Sequence, residues 1–210
     1  MLTKLKHAIW RPIFRSYSYL VNKYKSVFII PPYSEKRRTI LEYRNKYSCS
    51  NFVETGTFLG DTVQEMLPYF DSLISIELAD ELAQKAKNRF SGQSKVNIIK
   101  GDSGLVLETL VEKLKEPTLF WLDGHYSGEF YLNNDYIVTA KSEKLTPILS
   151  ELAAILKNGP KGNVILIDDA RCFNGKCDYP SINELKAYVS QFGIDKTHVS
   201  VKRDMIRIIP

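Results

Sequence analysis

Apolar positions along this chain fall into two kinds of run that take turns. Short, nearly unbroken ones, at Phe52-Val53, Ser72–Glu77, Val96–Ile99, Thr118–Leu122 and Asn163–Ile167, read as strands buried on both faces, since a half-solvated strand would alternate. Between them the apolar groups recur at helical spacing. A helix is predicted over residues 35–48 behind a cap at Ser34, with Ile40, Leu41, Tyr43 and Tyr47 on one side, and others over 61–69, Ala79–Phe90 and Ser103–Lys115. Asp61 or Thr62 can cap the second of these. Thr146-Pro147 opens a further helix to about Asn158, and the capping box Ser181-Ile-Asn-Glu184 opens one to about Phe192. His198–Val201 and Met205–Ile209 flank a polar turn at Lys202–Asp204 and form a β-hairpin. Residues 126–145 are polar and tyrosine-containing, predict neither a strand nor a long helix, and are expected to overhang the strand ends. The alternation gives a doubly wound α/β domain with a seven-stranded, mostly parallel sheet whose last strand is antiparallel. The closing hairpin separates it from a dinucleotide-binding domain, whose last strand is reached by another crossover helix.

The first strand runs into Glu54-Thr-Gly56-Thr-Phe-Leu-Gly60, a glycine-bounded turn before a helix. Such a turn is a common strand-to-helix connection and also the usual entrance of a nucleotide site. Glu54 narrows the second reading. An acid before the first glycine repels a pyrophosphate but can hold an ammonium or ribose hydroxyls, so the ligand expected is a cationic nucleoside.

In a doubly wound sheet the ligand crosses the carboxyl ends of the strands. Every predicted parallel strand ends in an acid: Glu54, Glu77, Asp102, Asp123 and the pair Asp168-Asp169. Glu77 stands where a carboxylate takes both ribose hydroxyls. Asp102 and Ser103, after Gly101, stand where polar groups meet an adenine edge or cap the next helix. Three carboxylates in one crevice, Asp123, Asp168 and Asp169, repel one another unless a cation joins them, and a hard divalent ion such as magnesium suits oxygen ligands. The alternative is that Asp169 caps the following segment and pairs with Arg171. His125 is the nearest group able to take a proton from a substrate hydroxyl, and equally a further metal ligand or a hydrogen-bonding bystander.

Charge locates the chain's one unusual segment. The net charge of +5 belongs to the start: residues 1–34 carry six of the 29 basic residues and no acid, leaving 23 bases against 24 acids. The domain over 34–210 therefore has no electrostatic footprint for nucleic acid. The arm over 1–33 is basic, aromatic and amphipathic, so peripheral contact with a membrane surface, packing on the domain, or packing on a second subunit of a homodimer are all open to it. Pro12 interrupts it as a helix. Three cysteines, Cys49, Cys172 and Cys177, and the want of a long apolar run lead to the expectation of a cytoplasmic protein.

At the residues singled out, the chain resembles the class I S-adenosylmethionine-dependent methyltransferases over about residues 50–210. Glu54-Thr-Gly56-Thr-Phe-Leu-Gly60 is similar to the first motif of the metal-dependent O-methyltransferases of the catechol, caffeoyl-CoA and macrocin types. Trp121–Ser127 with Ile167–Arg171 is similar to bacterial methyltransferase-like proteins met among sugar and surface-polysaccharide genes. The resemblance implies a Rossmann-like sheet and S-adenosylmethionine held by Glu54, Gly56, Gly60, Glu77, Asp102 and Ser103. It also implies a divalent cation at Asp123, Asp168 and Asp169, and methylation of a small-molecule or sugar hydroxyl. Where the catechol type carries a basic lysine after its strand-four aspartate, this chain has Gly124-His125-Tyr126-Ser127, which puts His125 forward with Asp123 as the catalytic pair. Two other readings stand beside it: a methyltransferase-fold scaffold without turnover, and a nicotinamide-dependent oxidoreductase, which Glu54 and the hairpin disfavour.

Overall fold

A computed structural model describes residues 30–126, 128–132, 135–140 and 144–210. Residues 1–29 of the expected arm lie outside the described residues, and the membrane and dimer readings with them. Among the described residues no helix is long and apolar enough to cross a membrane.

Helix α1 (Tyr33–Lys46) precedes β1 (Asn51–Thr55), α2 (Asp61–Met66), β2 (Ser72–Glu77), α3 (Asp80–Arg89), β3 (Val96–Lys100), α4 (Ser103–Leu110) and β4 (Thr118–Leu122). A small hairpin, β5 (Glu129–Leu132) and β6 (Asp135–Val138), leads to α5 (Ile148–Asn158), β7 (Val164–Ile167), α6 (Ile182–Ser190), β8 (Val199–Lys202) and β9 (Met205–Ile208). The main sheet has seven strands in the order β3-β2-β1-β4-β7-β9-β8. Its first five are parallel, and β9 runs antiparallel to both β7 and β8.

Alternate residues of the central strands feed two cores. Phe52, Leu119, Trp121, Val164 and Leu166 pack with Ile40, Val63, Met66, Ala86 and Phe90 under α1, α2 and α3. Val53, Phe120, Leu122, Ile165 and Ile167 pack with Leu107, Leu152, Ile155, Leu185 and Val189 under α4, α5 and α6. Burial on both faces is what removes polar alternation from the strands, and each fully buried large side chain contributes roughly 1.5–3 kcal/mol.

Local chemistry departs from expectation at several starts. α1 begins at Tyr33 after Pro32, without a side-chain cap from Ser34. α2 is entered through Gly60 in the left-handed conformation, also without a side-chain cap, and Asp61 pairs with Arg89 at 2.7 Å instead. α5 has Pro147 as its cap residue, with the Thr146 hydroxyl accepting from Ile148 N–H at 3.4 Å. The Ser181–Glu184 capping box is present. The stretch 126–145, expected to hold no strand, contains β5 and β6. Glu-Phe-Tyr-Leu and Asp-Tyr-Ile-Val are each strand-prone, and their pairing in register Glu129↔Val138 to Leu132↔Asp135 supplies backbone partners that a single short strand lacks.

Candidate active site

The chain winds outward through β1, β2 and β3, then returns to place β4 beside β1, so the carboxyl ends of β1 and β4 form the switch point of the sheet. A cleft of about 230 Å³ opens there. Gly56, Phe58, Glu77, Asp102 and Ser103 line it together with Asp123, Gly124, His125 and Tyr126, and with Thr139, Ala140, Lys144, Leu145 and Pro147 from the segment after the hairpin. Gly56 has φ +83° and its missing side chain lets the loop press on β4: a Cβ would lie 2.6 Å from the Asp123 carbonyl oxygen. Gly60 does not face the cleft. It lets α2 start against the Phe90 ring, 2.8 Å from where a Cβ would stand.

Glu77 ends β2 with its carboxylate in the cleft, 6 % exposed. One oxygen accepts from Phe58 N–H at 2.8 Å and the other from Ala79 N–H at 2.9 Å, so the group is fixed by backbone donors on both sides. Asp102 caps α4 through Gly104 N–H at 2.9 Å, as the helix-cap reading expects, and still borders the cleft. The Ser103 hydroxyl donates to Glu151 at 2.6 Å.

Glu151 was not expected at the site. It is 1 % exposed on α5, and burial raises its carboxyl to about 7. The signal was present in sequence: it sits three residues after Ile148 and four before Ile155, on the apolar face of its helix.

Glu54 is not in the cleft. It is 1 % exposed behind the glycine loop, accepts from the Ser75 hydroxyl at 2.6 Å, and Ser75 in turn meets Thr57 at 2.6 Å. Burial raises its carboxyl to about 8, which favours the protonated form at neutral pH, and from behind the loop the group braces Ser75 and, through it, Thr57.

Of the three carboxylates expected to share a metal, Asp123 and Asp169 approach each other and Asp168 lies outside their group. Asp169 takes φ +55°, ψ +45°, and this left-handed step after the end of β7 turns the neighbouring acids apart. Asp168, 4 % exposed, pairs with Lys36 from α1, and its Oδ1 is buried without a hydrogen-bond partner among the described residues. Asp169 Oδ1 receives Arg171 at 2.7 Å, the pairing held open above, and Arg171 also engages the buried Asp204. The groups that do approach one another are Asp123, His125 and Asp169, with ligand atoms within 4.8 Å. Between the two acids lies the imidazole, Nδ1 3.3 Å from Asp123 Oδ1 and Nε2 3.8 Å from Asp169 Oδ2. The bond to Asp123 raises the His125 pKa, burial opposes this, and the charges of Asp123, Asp169 and Asp168 add to the rise. Asp168 and Asp169 thus each face a cation of the chain, Lys36 and Arg171, while the His125 imidazole stands between Asp123 and Asp169 as a third group with a ligand atom. The oxygen set expected for magnesium, Asp123 with Asp168 and Asp169, is not assembled while Lys36 holds Asp168.

Lys36 was also missed. Burial lowers its pKa, and attraction to Asp168, with Asp123 and Asp169 behind, outweighs burial and raises it. A lysine in the first turn of a helix opposes the helix dipole, and that was the one sequence cue.

No protein-family model matches the chain, and no curated protein matches it in sequence. In fold it is similar to the O-methyltransferase TomG from Streptomyces achromogenes, in complex with SAM, at TM-score 0.57 and 13% identity over 86% of this chain and 82% of that one. It is similar also to the O-methyltransferase from Bacillus cereus, in complex with SAH (0.58, 12%, 91% and 88%). A third is the SAH-bound methyltransferase PaMTH1 of Podospora anserina (0.50, 13%, 93% and 95%). The sheet order, the antiparallel last strand and these likenesses define the class I methyltransferase fold.

Proposed function

We propose that the chain is an S-adenosylmethionine-dependent O-methyltransferase acting on the hydroxyl of a small molecule or sugar. The observation that carries this is Glu77, a carboxylate fixed by two backbone amides at the switch-point cleft, which Asp123 and His125 also line. The apolar walls Phe58, Ile76, Leu78, Leu82 and Leu145 suit a nucleoside ring, and Glu77 suits the ribose diol. Gly56 seats the loop directly on the end of β4 beside Asp123 and Gly124, which sets that wall of the cleft.

When bound, S-adenosylmethionine supplies a methyl group activated by its sulfonium. The chain's own residues do the rest. Ser103, anchored by Glu151, and Asp102 border the base end, while the loop from Gly56 to Phe58 closes over the sugar. Asp123 accepts a hydrogen bond from Nδ1 of His125 and so leaves Nε2 to receive the proton of the acceptor hydroxyl. The imidazolium then lies between Asp123 and Asp169, whose charges stabilise it. The hairpin beside the cleft, with Tyr131 76 % and Tyr136 55 % exposed and their rings 5.2 Å apart, offers aromatic surface to an acceptor. No step here passes through a metal ion.

Methyl-labelled S-adenosylmethionine offered with a panel of phenols and sugars tests the reading. Label is expected in an ether product, and His125→Gln should slow transfer by about 10²–10⁴-fold. Tight cofactor binding without transfer to any acceptor would favour the scaffold reading.

A further inference from the structure

We propose that the Lys36 ammonium, delivered by α1 to the end of β7, is the resident counter-ion of the carboxylate cluster and keeps divalent metal out of it. The inference rests on the methyltransferase reading only in naming the reaction that would run metal-free; exclusion of the ion is a property of the folded chain.

Three observations carry it. Lys36 lies against Asp168 with its side chain only 20 % exposed, and Asp123 and Asp169 are the next charges around it. Its place is built: Glu35, the residue before it, pairs with Arg203 in the β8–β9 turn and with Arg38 at 2.7 Å, while the next residue of that turn, Asp204, is held by Arg171. α1 is thereby pinned over the sheet end at its first turn, where a lysine gains nothing from the helix itself. Third, Asp168 Oδ1 is buried with no hydrogen-bond partner among the described residues, while the Lys36 ammonium pairs with the other oxygen. A buried acid stripped of its partner must take up a proton or another cation. With Lys36 gone, Asp168 can turn toward Asp123 and complete the oxygen set that a dication requires.

Lys36 acts here through Asp168 and is a positioning residue. The test is Mn²⁺ binding to the full chain, read by electron paramagnetic resonance without cofactor or acceptor, so that its outcome is independent of whether S-adenosylmethionine binds. The wild-type chain should leave Mn²⁺ free up to about millimolar concentration, while Lys36→Met should bind it about a hundredfold more tightly, because an ammonium a few ångströms from a dication repels it with twice the energy of a unit pair. Lys36→Arg should exclude the ion again, which loss of a merely structural contact would not predict. Tight Mn²⁺ binding by the wild-type chain overturns the proposal, and does so even if Lys36→Met fails to fold. Equal absence of binding in wild type and a folded Lys36→Met chain overturns it as well.

Discussion

Replacing Glu77 with Gln should weaken binding of the nucleoside without changing its chemistry. The carboxylate accepts from Phe58 N–H at 2.8 Å and Ala79 N–H at 2.9 Å. An amide can satisfy one of these donors with its oxygen, but its NH₂ then faces the other donor. One backbone N–H in a site 6 % exposed therefore loses its partner, which costs about 1–3 kcal/mol of fold stability with or without ligand. The ribose hydroxyls at the same time lose a charged acceptor, worth about 1.5–3 kcal/mol, although part of either loss is recovered by relaxation or water. In binding, a loss of about 1.5–3 kcal/mol corresponds to roughly 10–150-fold in Kd. Glu77→Ala removes both acceptors, and should lose more affinity and lower the melting temperature as well. Calorimetric titration with S-adenosylmethionine and with S-adenosylhomocysteine separates the possible roles. The ribose is common to both ligands, so both should weaken by the same factor. A Gln variant that binds both ligands within about twofold of wild type would refute the assignment. So would selective loss of S-adenosylmethionine, which would place the Glu77 charge on the sulfonium instead.

Asp123 is the main cause of the raised His125 pKa, so Asp123→Asn should lower it. A general base works only when neutral; the acid limb of kcat/KM should move to lower pH while kcat itself falls, and a limb that stays in place would show that His125 is not the base. Glu54 gives a stability test with a defined sign. Its carboxyl is raised by burial from 4.5 to about 8, so between those values the folded chain holds a proton that the unfolded chain has released. Stability must then fall as pH rises through that window. Glu54→Gln imitates the protonated form, keeps an acceptor for Ser75, and should gain in urea midpoint relative to wild type from pH 5 to pH 9; parallel profiles would contradict the buried-brace reading.

Where each residue's role followed from strand periodicity, the sequence was sufficient. β2 and β4 lie over the residues expected, and the acids at the ends of β2 and β4, with the polar pair after β3, border one cleft because a parallel sheet delivers all its carboxyl ends to one edge. What periodicity does not carry is the direction of a side chain after the strand has ended. Asp168 and Asp169 were legible as a strand-end pair, yet the left-handed step at Asp169 sends them to different cations. Glu54 reads in the sequence as a charged acid, and burial behind the loop raises its carboxyl to about 8. Lys36 comes from more than a hundred residues away in sequence, and only the packing of α1 across β4 and β7 brings it to Asp168. Glu151 lay in plain view as an acid on an apolar helix face, a pattern that calls for a buried partner.

Equilibrium dialysis of the purified full chain against labelled S-adenosylmethionine bears most directly on what the switch-point cleft holds. One ligand should be retained per chain at micromolar strength, displaced by S-adenosylhomocysteine and untouched by a reduced nicotinamide dinucleotide. No retention, or displacement by the dinucleotide and not by S-adenosylhomocysteine, would contradict the assignment of this cleft to a methyl donor.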